Sequence, residues 1–254
     1  MERLGNNRPA GIHGGALKTW GMIFVMAGVI GRSLLQNRLL GVGTVSAMEL
    51  IQLMQNSQSA MTVATVALIL QAMETCAVPI FAFCLVEGFN HTSNWLHYLL
   101  RLLVLALVTE IPYNLAIHQK LIAFGSVNPV FGLVIALLAL WMYRQFAGKK
   151  FICVVVTVAG MLWCGMLGIE HGVPVLLIVS TLWLFRKKPA FRGFAGCAAA
   201  VLCTVSSMFY LASPMAFLAI HMYNGEPGEQ ERIVSYLFYP AALLAVGLVA
   251  KFLF

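Results

Sequence analysis

Charged residues are scarce in this sequence, and their scarcity excludes a soluble protein. Asp, Glu, Lys and Arg make up 10% of the 254 residues, hydrophobic residues make up 61%, and the mean hydropathy is +0.88. Soluble domains carry about 25% charged residues because their surfaces face water. We therefore expect an integral membrane protein surrounded by the lipid bilayer, with no stretch left over for a separate soluble domain.

Cysteine pairs and a basic stripe are absent as well. The six cysteines are scattered through apolar runs, without a CxxC pair or the Cys/His spacing of a metal site. We expect them to be small buried thiols, and we expect no metal. The net charge of +7 comes from Lys and Arg in short loops between apolar runs. This distribution excludes a nucleic-acid partner and instead carries information on membrane topology.

The apolar runs predict an all-α, polytopic bundle of transmembrane helices. At roughly 20 residues per span the chain holds about eight spans, within a range of about seven to nine. Residues 1–15 are predicted to form a disordered cytoplasmic tail, and residues 16–254 a single transmembrane domain. The first helix, from about Ala16 to Leu35, lacks a small-x-small cleavage site and is predicted to be a retained span.

The remaining runs vary in character. Residues 36–59 place Glu and Gln on one helical face, which predicts a helix on the membrane surface. The run from Ala60 to Phe89 contains Glu74 and Pro79, and forms either one kinked, tilted helix or a shorter helix that breaks at the proline. Further spans are predicted near residues 98–117, 128–144, 151–168, 172–185, 193–212 and 233–254, with a short apolar piece at 214–223.

Basic loops recur after alternate predicted spans. The loops at 144–150 and 186–192 are two crossings apart, on the same side as the N-terminal tail and the loop at 90–97. Because Lys and Arg are enriched in cytoplasmic loops, we expect a cytoplasmic N-terminus.

Polar side chains recur within the apolar stretch 79–114 and again near residue 170. Polar groups are costly in a membrane, so each requires a partner or a function. A His beside a carboxylate suits general acid–base catalysis, and an Arg near the membrane surface suits a phosphate-bearing cosubstrate. The catalytic candidates are Glu87, His91, Glu110 and His171. The candidates for binding substrate or cofactor are Asn90, Asn94, Arg101 and Asn114.

These candidates also have a structural interpretation. Glu87 and His91 are spaced i,i+4 and can form a pair at a helix end. Arg101 can extend to the lipid phosphates, and His171 can cap the turn that it shares with Glu170. The residues alone leave both interpretations open.

Several segments together form a recognisable pattern. The specific block comprises Pro79–Phe83, Val86–Thr92, Tyr98–Leu102 and Glu110–Asn114. Weaker signals come from Leu17–Lys18, Tyr223–Glu226 and Phe238–Pro240. This pattern resembles the TraX family of bacterial membrane proteins, and the resemblance covers nearly the whole chain.

The resemblance implies an acyltransferase in the bacterial cytoplasmic (inner) membrane. The family's named member acetylates the N-terminus of a conjugative pilin, and the family is related to multi-span membrane acyltransferases. Such an enzyme would transfer an acyl group from acetyl-CoA or another acyl-CoA to an amine or hydroxyl on a protein or glycan acceptor.

The sequence also departs from the family pattern. Gly28–Val29 stands where an Asp-His pair is expected, Glu74–Thr75 where Gly-Arg is expected, Ala242 where the last span carries a His, and His171 where a Tyr is expected. These departures leave open a second hypothesis, a non-catalytic protein of the TraX fold that binds a partner or a lipid. A small-molecule permease ranks third, because the sequence contains no internal repeat.

Overall fold

The computed structural model describes residues 11–42, 46–123, 125–226 and 232–252, and within these ranges the chain is helical and contains no β-strand. The predicted all-α bundle is confirmed. The predicted tail falls mostly on residues 1–10, which lie outside the described ranges, and the first helix begins at Gly14.

The α-helices are α1 Gly14–Ile30, α2 Ala47–Asn56, α3 Gln58–His91, α4 Trp95–His118, α5 Val130–Gln145, α6 Lys150–Met166, α7 Gly172–Leu184, α8 Pro189–Leu202, α9 Ala216–His221 and α10 Arg232–Phe252. A π-helical segment, Gly31–Leu39, continues α1, and short 3-10 helices at Cys203–Val205 and Met208–Met215 connect α8 to α9.

Three helical stretches of the described chain are long and apolar enough to cross a membrane: Gly14–Leu39, Gln58–His91 and Trp95–His118. Shorter apolar helices of 10–17 residues lie at Val130–Gln145, Lys150–Met166, Gly172–Leu184, Phe191–Val205, Met208–His221 and Tyr236–Phe252. Their outward faces carry many exposed Leu, Val, Phe and Met side chains, as expected where lipid rather than water surrounds a helix bundle.

The long run that contains Pro79 forms a single helix of 34 residues, Gln58–His91. A proline inside a helix removes the hydrogen bond to the carbonyl four residues earlier, here that of Thr75. The Thr75 hydroxyl group lies 2.7 Å from the carbonyl oxygen of Ala72 and 2.9 Å from that of Phe209. This contact fastens α3 to the 3-10 helix Met208–Met215 near the proline.

Helix α3 is the central element of the bundle. Every residue from Glu74 to Ile80 is buried, and α3 packs against α1, α5, α7 and α9 as well as the π-helical segment. Helix α10 packs along α4 and also contacts α1. The large side chains of Phe83, Phe89 and Leu140 fill the common core.

The two ends of the bundle can be told apart by their backbone contacts. At the end where α1 begins, here called the near end, Ile12 pairs with Tyr223. At the opposite, far end, the Asn37 side chain donates a hydrogen bond of 2.8 Å to the carbonyl of Ile117. Helix α4 therefore begins at the near end and finishes at the far end.

A second contact at the far end joins the loop before α5 to the turn before α7. The amide of Val127 donates to the carbonyl of Gly168 at 3.0 Å, and the amide of Glu170 donates to the carbonyl of Val127 at 3.0 Å. This short parallel bridge holds the turn that carries Glu170 and His171 against the rest of the bundle.

Helix α2 lies within the segment predicted to form a surface helix. Ser46 and Glu49 form a capping box at its start, which satisfies two backbone donors at once. Met48, Ile51 and Leu53 are exposed, as expected of a helix that lies in the membrane interface.

Asn128 connects α4 to α5 through its buried side chain. Its amide nitrogen donates to the carbonyl of Ala106 at 2.9 Å and to Glu110 Oε2 at 2.5 Å, and its amide oxygen accepts from the amide of Val130 at 3.0 Å. The side chain thereby caps α5 and fixes the preceding loop.

We predict that Asn128→Ala destabilises the protein by about 1–3 kcal/mol, because it leaves buried hydrogen-bonding groups without partners. Thermal unfolding in detergent measures the effect. Asn90→Ala, at an exposed position on α3, is the matched control and should leave the melting temperature unchanged. Equal melting temperatures for the two variants would contradict this role of Asn128.

Candidate functional site

A cluster of charged side chains lies within the bundle, toward its far end. Arg32, on the π-helical segment, bridges two carboxylates: its Nη2 lies 2.6 Å from Glu74 Oε1, and its Nη1 contacts Glu170 Oε1. The three side chains are 18%, 7% and 20% exposed. Charges this far from water are stable when they are paired and hydrogen-bonded, and here one guanidinium neutralises part of two carboxylates.

His171 extends the same cluster. The residue adopts a left-handed backbone, with φ of 57°, at the start of α7. Its Nδ1 lies 2.7 Å from the Tyr210 hydroxyl, and its Nε2 lies 3.6 Å from Glu74 Oε1 and 3.9 Å from Glu170 Oε1. Tyr113 donates a hydrogen bond to the other oxygen of Glu170.

The turn between α6 and α7 carries both Glu170 and His171, and each alters the ionisation of the other. Burial by itself raises the pKa of Glu170, but the positive charges of Arg32 and His171 outweigh burial and hold this pKa well below its usual range. Burial by itself lowers the pKa of His171, but the neighbouring Glu74 and Glu170 carboxylates raise it above the usual 6.5. The two carboxylates therefore favour the imidazolium form of His171.

Gly28 provides the space that Glu74 occupies. A Cβ atom added at Gly28 would collide with the carboxylate and the Cβ of Glu74. Helix α1 therefore approaches α3 closely enough for the Glu74 side chain to lie against the α1 backbone, one helical turn before Arg32.

Two cavities meet at this cluster. Cavity A has a volume of about 400 Å³, extends toward Lys18 and Arg101, and is lined mainly by apolar side chains. Cavity B has a volume of about 390 Å³ and is lined chiefly by the elements of the far end. Glu74 and His171 line both cavities, so they form a wall that the two cavities share.

The walls of cavity B are more polar than those of cavity A. They include the side chains Arg32, Gln71, Glu74, Thr75, Glu170, His171, Ser206, Ser207, Phe209 and Tyr210. The Nε2 atom of His171 is buried and has no hydrogen-bond partner in the described part of the chain. The shared wall can thus hold a proton, or pass one, between an imidazole and a carboxylate.

The four catalytic candidates lie in three different places. His171 belongs to the charged cluster. Glu87 pairs with Arg192 at 2.8 Å and with His91 at 3.6 Å, and the His91 side chain is 73% exposed. Glu110 is bound by Asn128. No ion pair or hydrogen bond between described residues connects Glu87 or Glu110 to His171.

The four residues predicted to bind substrate or cofactor also lie in different parts of the structure. Arg101 lines cavity A, and its guanidinium carbon Cζ lies 6.0 Å from the centre of the Tyr98 ring. Asn94 caps α4 by accepting a hydrogen bond of 3.3 Å from the backbone of His97. Asn90 is exposed. Asn114 is buried and donates to Glu110 at 3.1 Å, so it supports the connection between α4 and α5.

Sequence reasoning did not select Arg32, Glu74, Glu170, Tyr113 or Tyr210 as candidates. The available signal was the isolation of each charge within or beside an apolar run. Arg32 and Glu74 are 42 positions apart, and Arg32 and Glu170 are 138 positions apart. Without the three-dimensional structure, no local spacing connects them.

Two of the positions at which the sequence differs from the expected family pattern lie against each other. The backbone of Gly28 packs against the Glu74 side chain. Val29 is buried in a small apolar cluster with Tyr113 and Leu243, the residue that follows Ala242. Among the described residues, no group of three or more His, Cys, Asp or Glu side chains could hold a metal ion.

We predict that Gly28→Ala displaces the Glu74 carboxylate and destabilises the protein by about 1–3 kcal/mol, the usual effect of overpacking. Thermal unfolding in detergent measures the change. Gly193→Ala is the control, because a Cβ atom at that helical position meets nothing within 4 Å. A melting temperature of Gly28→Ala at or above that of Gly193→Ala would contradict the close approach of α1 and α3.

Comparison with known proteins identifies the family of this chain. No curated protein and no solved structure matches the chain. The family model described as TraX protein matches residues 61–250, which include Glu74, Arg101 and His171. This match covers most of the chain, so the protein is a membrane protein that belongs to the TraX family.

Proposed function

We propose that this protein is a membrane acyltransferase that transfers an acyl group from a coenzyme A thioester, such as acetyl-CoA, to an amine or hydroxyl of a protein or glycan acceptor. The observation that carries the proposal is that Glu74 and His171 line both cavities. A donor in one cavity and an acceptor in the other would meet at an acid–base pair.

Cavity A suits the donor. Lys18 lies near the start of α1 and Arg101 near the start of α4, so both cations lie toward the near end. Basic side chains bind phosphate oxygens through charge-assisted hydrogen bonds. The apolar walls beyond them would accommodate the uncharged arm that carries the thioester to Glu74 and His171.

Membrane orientation supports the same assignment. The basic loops favour a cytoplasmic N-terminus, in the inner membrane of a bacterium. In that orientation cavity A faces the cytoplasm, where acyl-CoA is made, and cavity B faces the opposite side. The acceptor would then enter from outside the cytoplasm.

The proton transfers follow from the geometry of the shared wall. Glu74 accepts the proton of the attacking amine or hydroxyl while a bond forms between the acceptor atom and the thioester carbonyl carbon. The His171 imidazolium polarises that carbonyl and protonates the coenzyme A thiolate as the carbon–sulfur bond breaks. Proton transfer across the 3.6 Å between Glu74 Oε1 and His171 Nε2 restores the starting state.

Arg32 and Tyr113 act as positioning residues in this mechanism. Arg32 binds one oxygen of Glu74 and also binds Glu170. Tyr113 donates a hydrogen bond to Glu170. Glu170 in turn stabilises the imidazolium form of His171. Glu170 therefore acts through His171 rather than on the substrate.

A second candidate function is a non-catalytic TraX protein that binds a lipid or a partner. The apolar packing of Val29 with Tyr113 and Leu243 favours it, because a His is expected at position 29 in a catalytic relative. Transfer of label in the experiment below would exclude this candidate.

Radiolabelled acetyl-CoA, added to membranes that contain the full chain, tests the proposal. We expect label to appear in an acceptor. Glu74→Gln and His171→Phe should each lower the initial rate by about 10²–10⁴-fold, the usual contribution of a general acid or base. His97→Ala, at an exposed position on α4, is the control and should retain the rate.

A different set of transfer rates is expected if the reaction takes place outside the charged cluster. Loss of transfer in His91→Ala and Glu110→Gln, with normal transfer in His171→Phe, would place the chemistry at His91 and Glu110 instead of the charged cluster. Melting temperatures measured in parallel separate a loss of chemistry from a loss of folding.

The pH dependence of transfer tests the role of His171. The reaction requires the imidazolium form, and the pKa of His171 is raised above 6.5. The rate should therefore stay high near pH 6.5 and fall as the pH rises through the raised pKa. Initial rates measured between about pH 6 and about pH 9 would show this decrease. A rate that rises throughout this interval would contradict the assignment of His171 as the acid.

A further inference from the structure

Cavity B contains buried hydrogen-bond donors that the protein does not use. Within the described ranges, Arg32 Nε and Gln71 Nε2 are buried and lack a hydrogen-bond partner, and both residues line cavity B. Gln71 lies on α3, three positions before Glu74, and does not line cavity A. Buried donors without acceptors are unfavourable, so these atoms indicate a ligand rich in acceptor atoms.

Hydroxyl groups add to the same surface. Ser206 and Ser207 line cavity B in the segment that connects the two 3-10 helices. The Ser207 oxygen already accepts a weak hydrogen bond of 3.4 Å from the backbone of Phe209. Its hydrogen remains available for donation, so the two serines present donors as well as acceptors to the cavity.

The titratable groups around cavity B are already paired with one another. The basic groups facing it are Arg32 and His171, and the acidic groups are Glu74 and Glu170. These four are joined to one another by the ion pairs of the cluster. Neither an ammonium group nor a carboxylate or phosphate finds an unpaired charge there. An uncharged ligand with several hydroxyl groups matches this set of donors and acceptors.

The volume of cavity B is sufficient for one sugar unit. At about 390 Å³ it lies within the roughly 300–1,000 Å³ of small-molecule sites. The lining also includes the apolar residues Val173, Pro174 and Phe209, and apolar groups can form dispersion contacts with the carbon face of a pyranose ring.

From these observations we infer that cavity B binds a saccharide, and that the acceptor atom in the proposed transfer is a sugar hydroxyl. This inference rests on the proposed acyltransferase function and narrows the acceptor class from amine or hydroxyl to saccharide hydroxyl. The hydroxyl oxygen forms the new ester bond with the acyl carbon, the carbon–sulfur bond of the thioester breaks, and the hydroxyl proton passes to Glu74. His171 protonates the departing thiolate, so the products are a sugar ester and free coenzyme A.

The experiment uses the full chain in nanodiscs of phosphatidylcholine, a lipid with neither a free hydroxyl nor a primary amine. Radiolabelled acetyl-CoA is supplied with one of three acceptor probes: octyl β-glucoside, methyl β-glucoside or octylamine. The first and third share an eight-carbon tail and differ in the reacting group, while the second distinguishes a free sugar from a lipid-linked one.

We expect a labelled ester of a glucoside, which mild alkali and hydroxylamine cleave, and little label on octylamine. Ester on octyl β-glucoside alone identifies a lipid-linked saccharide, and equal ester on both glucosides identifies the sugar itself. An alkali-stable amide on octylamine, or release of acetate without any glucoside ester, overturns the saccharide assignment while leaving acyl-CoA use intact. Acetyl-CoA left unconsumed with every probe overturns the proposed function itself.

Variants in the wall of cavity B provide an independent test. Gln71→Met keeps the side-chain size but removes the amide donor, and should raise KM for the glucoside by about tenfold, the value of one good hydrogen bond. KM for acetyl-CoA should stay constant, because Gln71 lines cavity B and does not line cavity A. Ser206→Ala should act in the same direction. Gln58→Met, at an exposed position of the same helix, is the control, and equal KM values for all three variants would overturn the site.

Discussion

The bridge from Arg32 to Glu74 and Glu170 is the interaction on which the interior of this protein depends. It connects the segment after α1, the central helix α3 and the turn before α7, three parts of the chain that are far apart in sequence. In an apolar bundle each of these charges would be strongly unfavourable alone, because burial removes most of its contact with solvent. The ionised side chains therefore hold each other, and their helices, in one arrangement. That arrangement places His171 beside two carboxylates.

The sequence was sufficient for the fold but for little of the candidate site. Low charge and long apolar runs predicted an all-α membrane bundle, because the bilayer permits few other structures. Glu87 and Glu110 were predicted as catalytic residues, yet each has a structural partner, Arg192 and Asn128 respectively. Those partners could not be read from spacing, since they approach only when helices pack. Of the four predicted catalytic residues, His171 is the one that lies in the charged cluster.

The contact between α1 and α3 depends on one glycine. A glycine at position 28 and a glutamate at position 74 form a matched pair, since any side chain on the first would collide with the second. The next residue, Val29, packs against apolar neighbours. The polar centre of this protein is thus formed by α3, the turn before α7 and the π-helical segment that continues α1.

The wall formed by Glu74 and His171 has an electrical consequence. Cavities A and B extend toward opposite ends of the bundle, so solvent in both would leave this wall as the thinnest insulating layer across the protein. Field lines concentrate in such a layer, and a charge that crosses the whole membrane potential changes in energy by about 2.3 kcal/mol per 100 mV. The pairing of opposite charges across the wall would then do more than position a proton. It would keep the layer resistant to ion leakage while exposing its ionisable groups to the full voltage of an energised membrane.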